Sequence, residues 1–131
     1  MNTTIKLDKK RILAVDDQPA NTRLLKLYLE QTNDYEVREE NHAEAALSAA
    51  AEFQPHLILL DVMMPGMDGG ELAACFKVNP HLKTVPIVFL TGAVTKAELK
   101  AGRGLVGGQT FLAKPVVLVE VLACIKHHLG G

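Results

Sequence analysis

Leu57-Ile58-Leu59-Leu60-Asp61-Val62-Met63-Met64-Pro65-Gly66-Met67-Asp68-Gly69 is the stretch that decides the fold. Four apolar residues run directly into Asp61. The Pro, Gly and Asp that follow mark a loop, not a continued strand. Three other runs have the same form. Ile12-Leu13-Ala14-Val15 meets Asp16-Asp17, Pro86-Ile87-Val88-Phe89-Leu90 meets Thr91, and Thr110-Phe111-Leu112-Ala113 meets Lys114. Short apolar runs between helical patterns read as buried parallel strands. In open parallel α/β sheets, ligands bind outside the carboxyl ends of the strands. Three carboxylates, a hydroxyl and an ammonium are therefore expected at one sheet edge.

Working outward, the first strand spans about Arg11–Val15, after a polar lead-in over 1–10. Pro19 suits the first turn of a helix over about 19–32. Leu24, Leu27 and Tyr28 give that helix an apolar face. Residues 35–39 alternate and read as a half-exposed strand near an edge. Alanine-rich 43–53 reads as a helix that stops at Gln54-Pro55, and the third strand follows at 56–60. A short helix over about 70–77 carries Leu72 and Phe76. The fourth strand covers about 85–90.

A weak helix is expected over about 95–105, because Gly102 and Gly104 each cost it about 1 kcal/mol against alanine. Gly107-Gly108 reads as a turn, and residues 109–113 as the fifth strand. Pro115 then opens a last helix with the stripe Leu118, Val121, Leu122, Ile125. The sum is (βα)5, a doubly wound parallel sheet of flavodoxin-like order 2-1-3-4-5. That order sets strands one and three side by side and brings Asp16, Asp17 and Asp61 together.

The bulk numbers agree with one domain over 11–129. There are 131 residues, 48% apolar and 22% charged, with a net charge of −1. That balance gives no electrostatic case for nucleic acid or an acidic membrane. No run reaches membrane-spanning length and no signal peptide is legible, so a cytoplasmic, reducing setting is the expectation. Cys75 and Cys124 lack metal-ligand spacing and read as buried small hydrophobes. His127-His128 reads as a solvated helix end, and Met63, Met64 and Met67 as loop packing.

Crowded carboxylates repel unless a cation neutralises them. All-oxygen ligands with room for water suit Mg²⁺. A carboxylate can also act as a nucleophile and form an aspartyl-phosphate. Phosphoryl transfer to it needs charge neutralisation more than covalent help, which a metal and Lys114 would supply from two sides.

These residues, in this order and spacing, resemble the response-regulator receiver domain of two-component signalling over about 11–129. The resemblance rests on Asp16-Asp17, the loop begun by Asp61, Thr91-Gly92 and Lys114-Pro115. It implies that Asp61 accepts a phosphoryl group from a phosphohistidine on a sensor histidine kinase or phosphotransfer domain. It implies Mg²⁺ held by Asp17, Asp61 and the Met63 backbone carbonyl, with Asp16 direct or through water. Thr91 and Lys114 would contact the phosphoryl oxygens. Phe111 would turn inward as Thr91 closes, and the Lys114-Pro115 bond would be cis. The fourth helix, fifth strand and fifth helix would form the output face, with a phosphorylation-dependent homodimer as one outcome. The protein would then be a signalling phosphoacceptor that catalyses only its own Mg²⁺-dependent phosphorylation and dephosphorylation. Met63 and Ala93 would flank the path of an attacking water, and neither orients it by a strong hydrogen bond. The segment Asp17-Gln18-Pro19-Ala20-Asn21 looks like receivers of hybrid kinases and multidomain regulators.

Three other readings compete. A haloacid-type phosphatase needs a second Asp two residues after its nucleophile, where this chain has Met63. A flavin-binding carrier needs a phosphate-cradling loop after the first strand, where Asp16-Asp17 would repel phosphate. A degenerate receiver would lack part of the acceptor set, which is complete here.

Overall fold

The computed structural model describes residues 9–64, 69–92, 105–106 and 109–130. Strand β1 (Lys10–Val15) leads into helix α1 (Pro19–Gln31), β2 (Tyr35–Glu40) and α2 (Ala43–Phe53). These are followed by β3 (Leu57–Asp61), α3 (Gly69–Lys77), β4 (Ile87–Thr91), β5 (Leu105–Val106), β6 (Gln109–Ala113) and α4 (Leu118–Leu129). The sheet order is β2-β1-β3-β4-β6-β5. The first five of these strands are parallel, which is the expected 2-1-3-4-5 arrangement.

The two-residue β5 pairs antiparallel with β6 and extends the edge. It takes Leu105, which the sequence reading placed at the end of a helix. The rest of that expected helix, with Gly102 and Gly104, lies outside the described residues, as do Gly107-Gly108, Met67 and Ala93.

Strands β3 and β4 are buried along their whole length, which their unbroken apolar sequences require in a sheet covered on both faces. One face carries α2 and α3, where Leu13, Ile58 and Leu60 meet Ala46, Ala50, Leu72 and Phe76. The other carries α1 and α4, where Ile12, Leu57 and Leu59 meet Leu25, Leu29, Val121 and Ile125.

Helix α1 corrects the expected face. Leu24, Leu27 and Tyr28 are exposed, and the buried stripe is Thr22, Leu25 and Leu29. Apolar periodicity favours the wrong stripe because the true one contains a threonine. Thr22 is fully buried, and its hydroxyl is satisfied by Glu39 Oε1 at 2.9 Å and Asn41 Nδ2 at 3.0 Å. Hydrogen bonding makes a polar residue acceptable at that core position.

Pro19 does begin α1, whereas Pro115 does not begin α4. Pro115 sits in a cis peptide bond with Lys114, and α4 starts three residues later behind Val117. Cys75 and Cys124 are free and half-buried, not fully buried. His128 is half-buried too. Its Nδ1 donates to the Cys124 carbonyl at 2.9 Å, so only His127 matches the solvated-end reading. Among the described residues no helix is long and apolar enough to cross a membrane.

Candidate functional site

Parallel strands deliver their last residues to the same edge. Asp16 and Asp17 follow β1, Asp61 ends β3, Thr91 ends β4 and Lys114 follows β6. One carboxylate oxygen from each of Asp16, Asp17 and Asp61 lies within 4.8 Å of the other two. Lys114 Nζ stands 3.0 Å from Asp16 Oδ2 and 3.0 Å from Asp61 Oδ1, so a single ammonium bridges two buried carboxylates. Its backbone is tied to the neighbouring strand end, since Lys114 N donates to the Thr91 carbonyl at 2.8 Å.

Asp16 is fully buried and held from several sides. Its Oδ1 accepts from the Gln18 backbone N–H at 2.9 Å, and its Oδ2 accepts from Asn21 Nδ2 at 3.2 Å. Asp61 accepts from Lys114 at 3.0 Å and from the Met63 backbone N–H at 3.4 Å, both on Oδ1. Burial pushes the Asp61 carboxyl above the usual range. Lys114 opposes that shift by hydrogen bonding, and the Asp16 charge adds to it. Burial pulls the Lys114 ammonium down, but its bonds to Asp61 and Asp16 outweigh this and hold it above its ordinary value.

Gly69 fixes the backbone beside Asp61. Its N–H donates to the Val62 carbonyl at 2.8 Å, and a Cβ there would stand 2.7 Å from the Asp61 carbonyl oxygen and 2.8 Å from Val62 Cα. Only glycine lets α3 begin this close to the loop. Phe111 lies on β6 directly beside Phe89 of β4. Their rings stack at a centroid distance of 5.1 Å and an angle of 25°.

Among the described residues, three carboxylates stand against one lysine at this edge, which leaves two negative charges unbalanced. The donors are all oxygen, which is the chemistry of a hard divalent cation. The residues present therefore fit a Mg²⁺ site.

A profile of the response regulator receiver domain matches residues 12–126. The chain belongs to this family. Receiver domains are signalling phosphoacceptors that bind Mg²⁺ at an acidic site. Response regulator PleD of Caulobacter vibrioides is 39% identical over 116 residues, which are 88% of this chain and 25% of that protein. The chain thus spans about a quarter of PleD's length. The polar-differentiation response regulator DivK of Brucella anthropi is 29% identical over 122 residues, 92% of this chain and 97% of that protein. A solved structure of a putative response regulator from Chloroflexus aurantiacus superposes with a TM-score of 0.79. It is 31% identical and covers 95% of this chain and 100% of that one.

The structure brings together Asp16, Asp17, Asp61, Lys114 and the Thr91 backbone. Phe111 stands apart from the carboxylates, on the α2–α3 face of the sheet. Met63 is 70% exposed, while Met64 packs into the core. Sequence reasoning about this receiver domain missed Asn41 as a contributor. Asn41 Nδ2 donates to the Asp16 carbonyl at 2.7 Å. Its position directly after β2 was the available signal, because it shares the edge where every other site residue lies.

Proposed function

We propose that this receiver domain takes a phosphoryl group from a phosphohistidine onto Asp61. The observation that carries the reading is the placement of Lys114 Nζ 3.0 Å from Asp61 Oδ1 within an acidic, oxygen-only cluster. The two hydrogen bonds Asp61 accepts from described residues both fall on Oδ1. Oδ2 is then the oxygen whose lone pair attacks phosphorus. A P–O bond forms, the P–N bond to the donor imidazole breaks, and its electron pair stays on the ring nitrogen, which is protonated from solvent. Asp16, Asp17, Asp61 and the Met63 carbonyl would hold Mg²⁺, which supplies charge neutralisation at the transferring group. Lys114 neutralises the other side. The Thr91 hydroxyl donates to a phosphoryl oxygen, and Phe111 leaves its stack on Phe89 to fill the space Thr91 vacates.

The partner is a histidine kinase or phosphotransfer domain. The exposed Leu24, Leu27 and Tyr28 on α1 suit its docking. Leu24 also lines a cavity of about 340 Å³ with Asp16, Asn21 and Lys114, next to the acceptor. Output would pass through β6, α4 and the segment before β5 to a downstream domain or protein, with homodimerisation as one form of that output. The domain comprises 11–129, extended by Lys10, which already pairs in β1.

The test is incubation with Mg²⁺ and acetyl phosphate, read by intact mass. One added phosphoryl group that is base-labile and absent in EDTA supports the reading. A chain whose mass is unchanged by saturating donor contradicts it.

A further inference from the structure

Asn41 is the first residue after the edge strand β2 and belongs to no predicted acceptor set. Both of its amide hydrogens are used. Nδ2 donates to the Asp16 carbonyl at 2.7 Å and to the Thr22 hydroxyl at 3.0 Å. Thr22 is fully buried on the inner face of α1, and its hydroxyl donates on to Glu39 Oε1 at 2.9 Å. Arg23 Nε holds the other Glu39 oxygen at 3.0 Å. The chain of contacts joins α1, the end of β2 and the loop after β1.

The carbonyl that Asn41 grips belongs to the peptide unit linking Asp16 to Asp17. Through ψ of Asp16 that unit sets the path of the chain into Asp17, and with it the direction of the Asp17 Cα–Cβ bond. On the other side of Asp16, its backbone N–H donates to the Glu40 carbonyl at 3.1 Å. Asp16 is therefore pinned fore and aft by consecutive residues of one strand end, Glu40 and Asn41. Its carboxylate is pinned separately by Gln18, Asn21 and Lys114. Asp17 is only partly buried and gains its orientation through the peptide. A cation site assembled from separate strands depends on ligands held by a supporting layer of hydrogen bonds.

We propose that Asn41 is a positioning residue for divalent-cation binding, fixing the Asp16–Asp17 peptide so that the Asp17 carboxylate is held beside those of Asp16 and Asp61. The inference rests on the reading of this edge as a cation site. It adds the residue that sets the geometry of the site from outside it. The clamp needs two N–H donors on one short uncharged arm, which neither Asp nor Ser supplies.

The test is calorimetric titration of the whole chain with Mg²⁺ alone, for the wild type, Asn41→Ala, Asn41→Leu and Thr32→Ala. Both Asn41 variants remove the donors without changing charge, and the leucine keeps the volume. Thr32→Ala removes the Thr32 hydroxyl's bonds to the Leu29 carbonyl and from the Asp34 N–H, at the far end of α1, and controls for lost stability. Thermal unfolding in EDTA ranks the four proteins by stability. The account expects Mg²⁺ affinity to fall about three- to ten-fold in both Asn41 variants, the scale of one or two lost hydrogen bonds. Thr32→Ala should keep wild-type affinity even where its melting temperature drops. Unchanged affinity in either folded Asn41 variant would overturn the inference, and so would an equal loss in Thr32→Ala. Absence of Mg²⁺ binding by the wild type would overturn the inference and the site reading together.

Discussion

Lys114 Nζ donates to Asp61 Oδ1 at 3.0 Å across 53 residues of sequence. The contact exists because β3 and β6 are parallel strands flanking β4, so both residues leave the sheet at the same edge. Asp16 shares the same ammonium at 3.0 Å, which makes the site one coupled electrostatic unit.

Removing the ammonium leaves two buried carboxylates facing each other. Lys114→Met should lower stability at neutral pH by about 1–3 kcal/mol, a range set by lost charged hydrogen bonds and reduced for partial exposure. The folded Lys114 pKa lies above its ordinary 10.5, so its contribution is full below that value. It is lost as pH rises through the folded pKa. Urea titrations of the two proteins at pH 7 and pH 11 should differ strongly at the first and converge toward the second. A constant difference across both would contradict this sign.

Asp61 shifts in the opposite sense for stability. Its folded pKa is raised above 3.8, chiefly by burial, so the ionised form is disfavoured by folding. Asp61→Asn should therefore raise the melting temperature at pH 7 by about 2–5 °C in the absence of metal. The gain should shrink as pH falls through the folded pKa and vanish below 3.8, where the wild-type carboxyl is protonated in both states. Melting curves at pH 7 and pH 4 check it. A gain that grew on acidification would rule out the burial explanation.

Gly69 tests the steric frame. A methyl group at 2.7 Å from the Asp61 carbonyl oxygen forces the backbone apart. Gly69→Ala should cost about 1–3 kcal/mol and slow phosphorylation of Asp61 several-fold, because the loop carrying the acceptor must shift. Stability equal to wild type, with unchanged labelling, would show that α3 can retreat freely.

Phosphoryl lifetime depends on what can orient water. Met63 is exposed and apolar, and Ala93 offers no polar side chain. Met63→Asn and Ala93→Glu should each speed the decay of the labelled protein after donor removal, by about two- to ten-fold. Decay that is unchanged in both, or faster in wild type than in both, would refute the role of these positions.

Much of this was legible in the chain. Runs such as Leu57–Leu60 and Ile87–Leu90 are apolar throughout, so they signal strands covered on both faces. The strand-end rule then placed Asp16, Asp17, Asp61, Thr91 and Lys114 together before any contact was known. Two of the things that were not legible share one reason. Thr22 hid the phase of α1, and Asn41 hid its role, because each is a polar residue whose place is set by hydrogen bonds to partners distant in sequence. Periodicity counts apolar side chains and is blind to such pairs. The start of α4 behind Val117 was missed because Pro115 is taken up by the Lys114-Pro115 turn.

The central claim is that Asp61 is the phosphoacceptor. Its most direct test is peptide mapping by mass spectrometry after labelling with acetyl phosphate and Mg²⁺, on the wild type and on Asp61→Asn. The account predicts one base-labile phosphoryl group on the peptide containing Asp61 in the wild type and none on that peptide in the variant. Label on Asp16 or Asp17 in the wild type, or equal labelling of the two proteins, would contradict it.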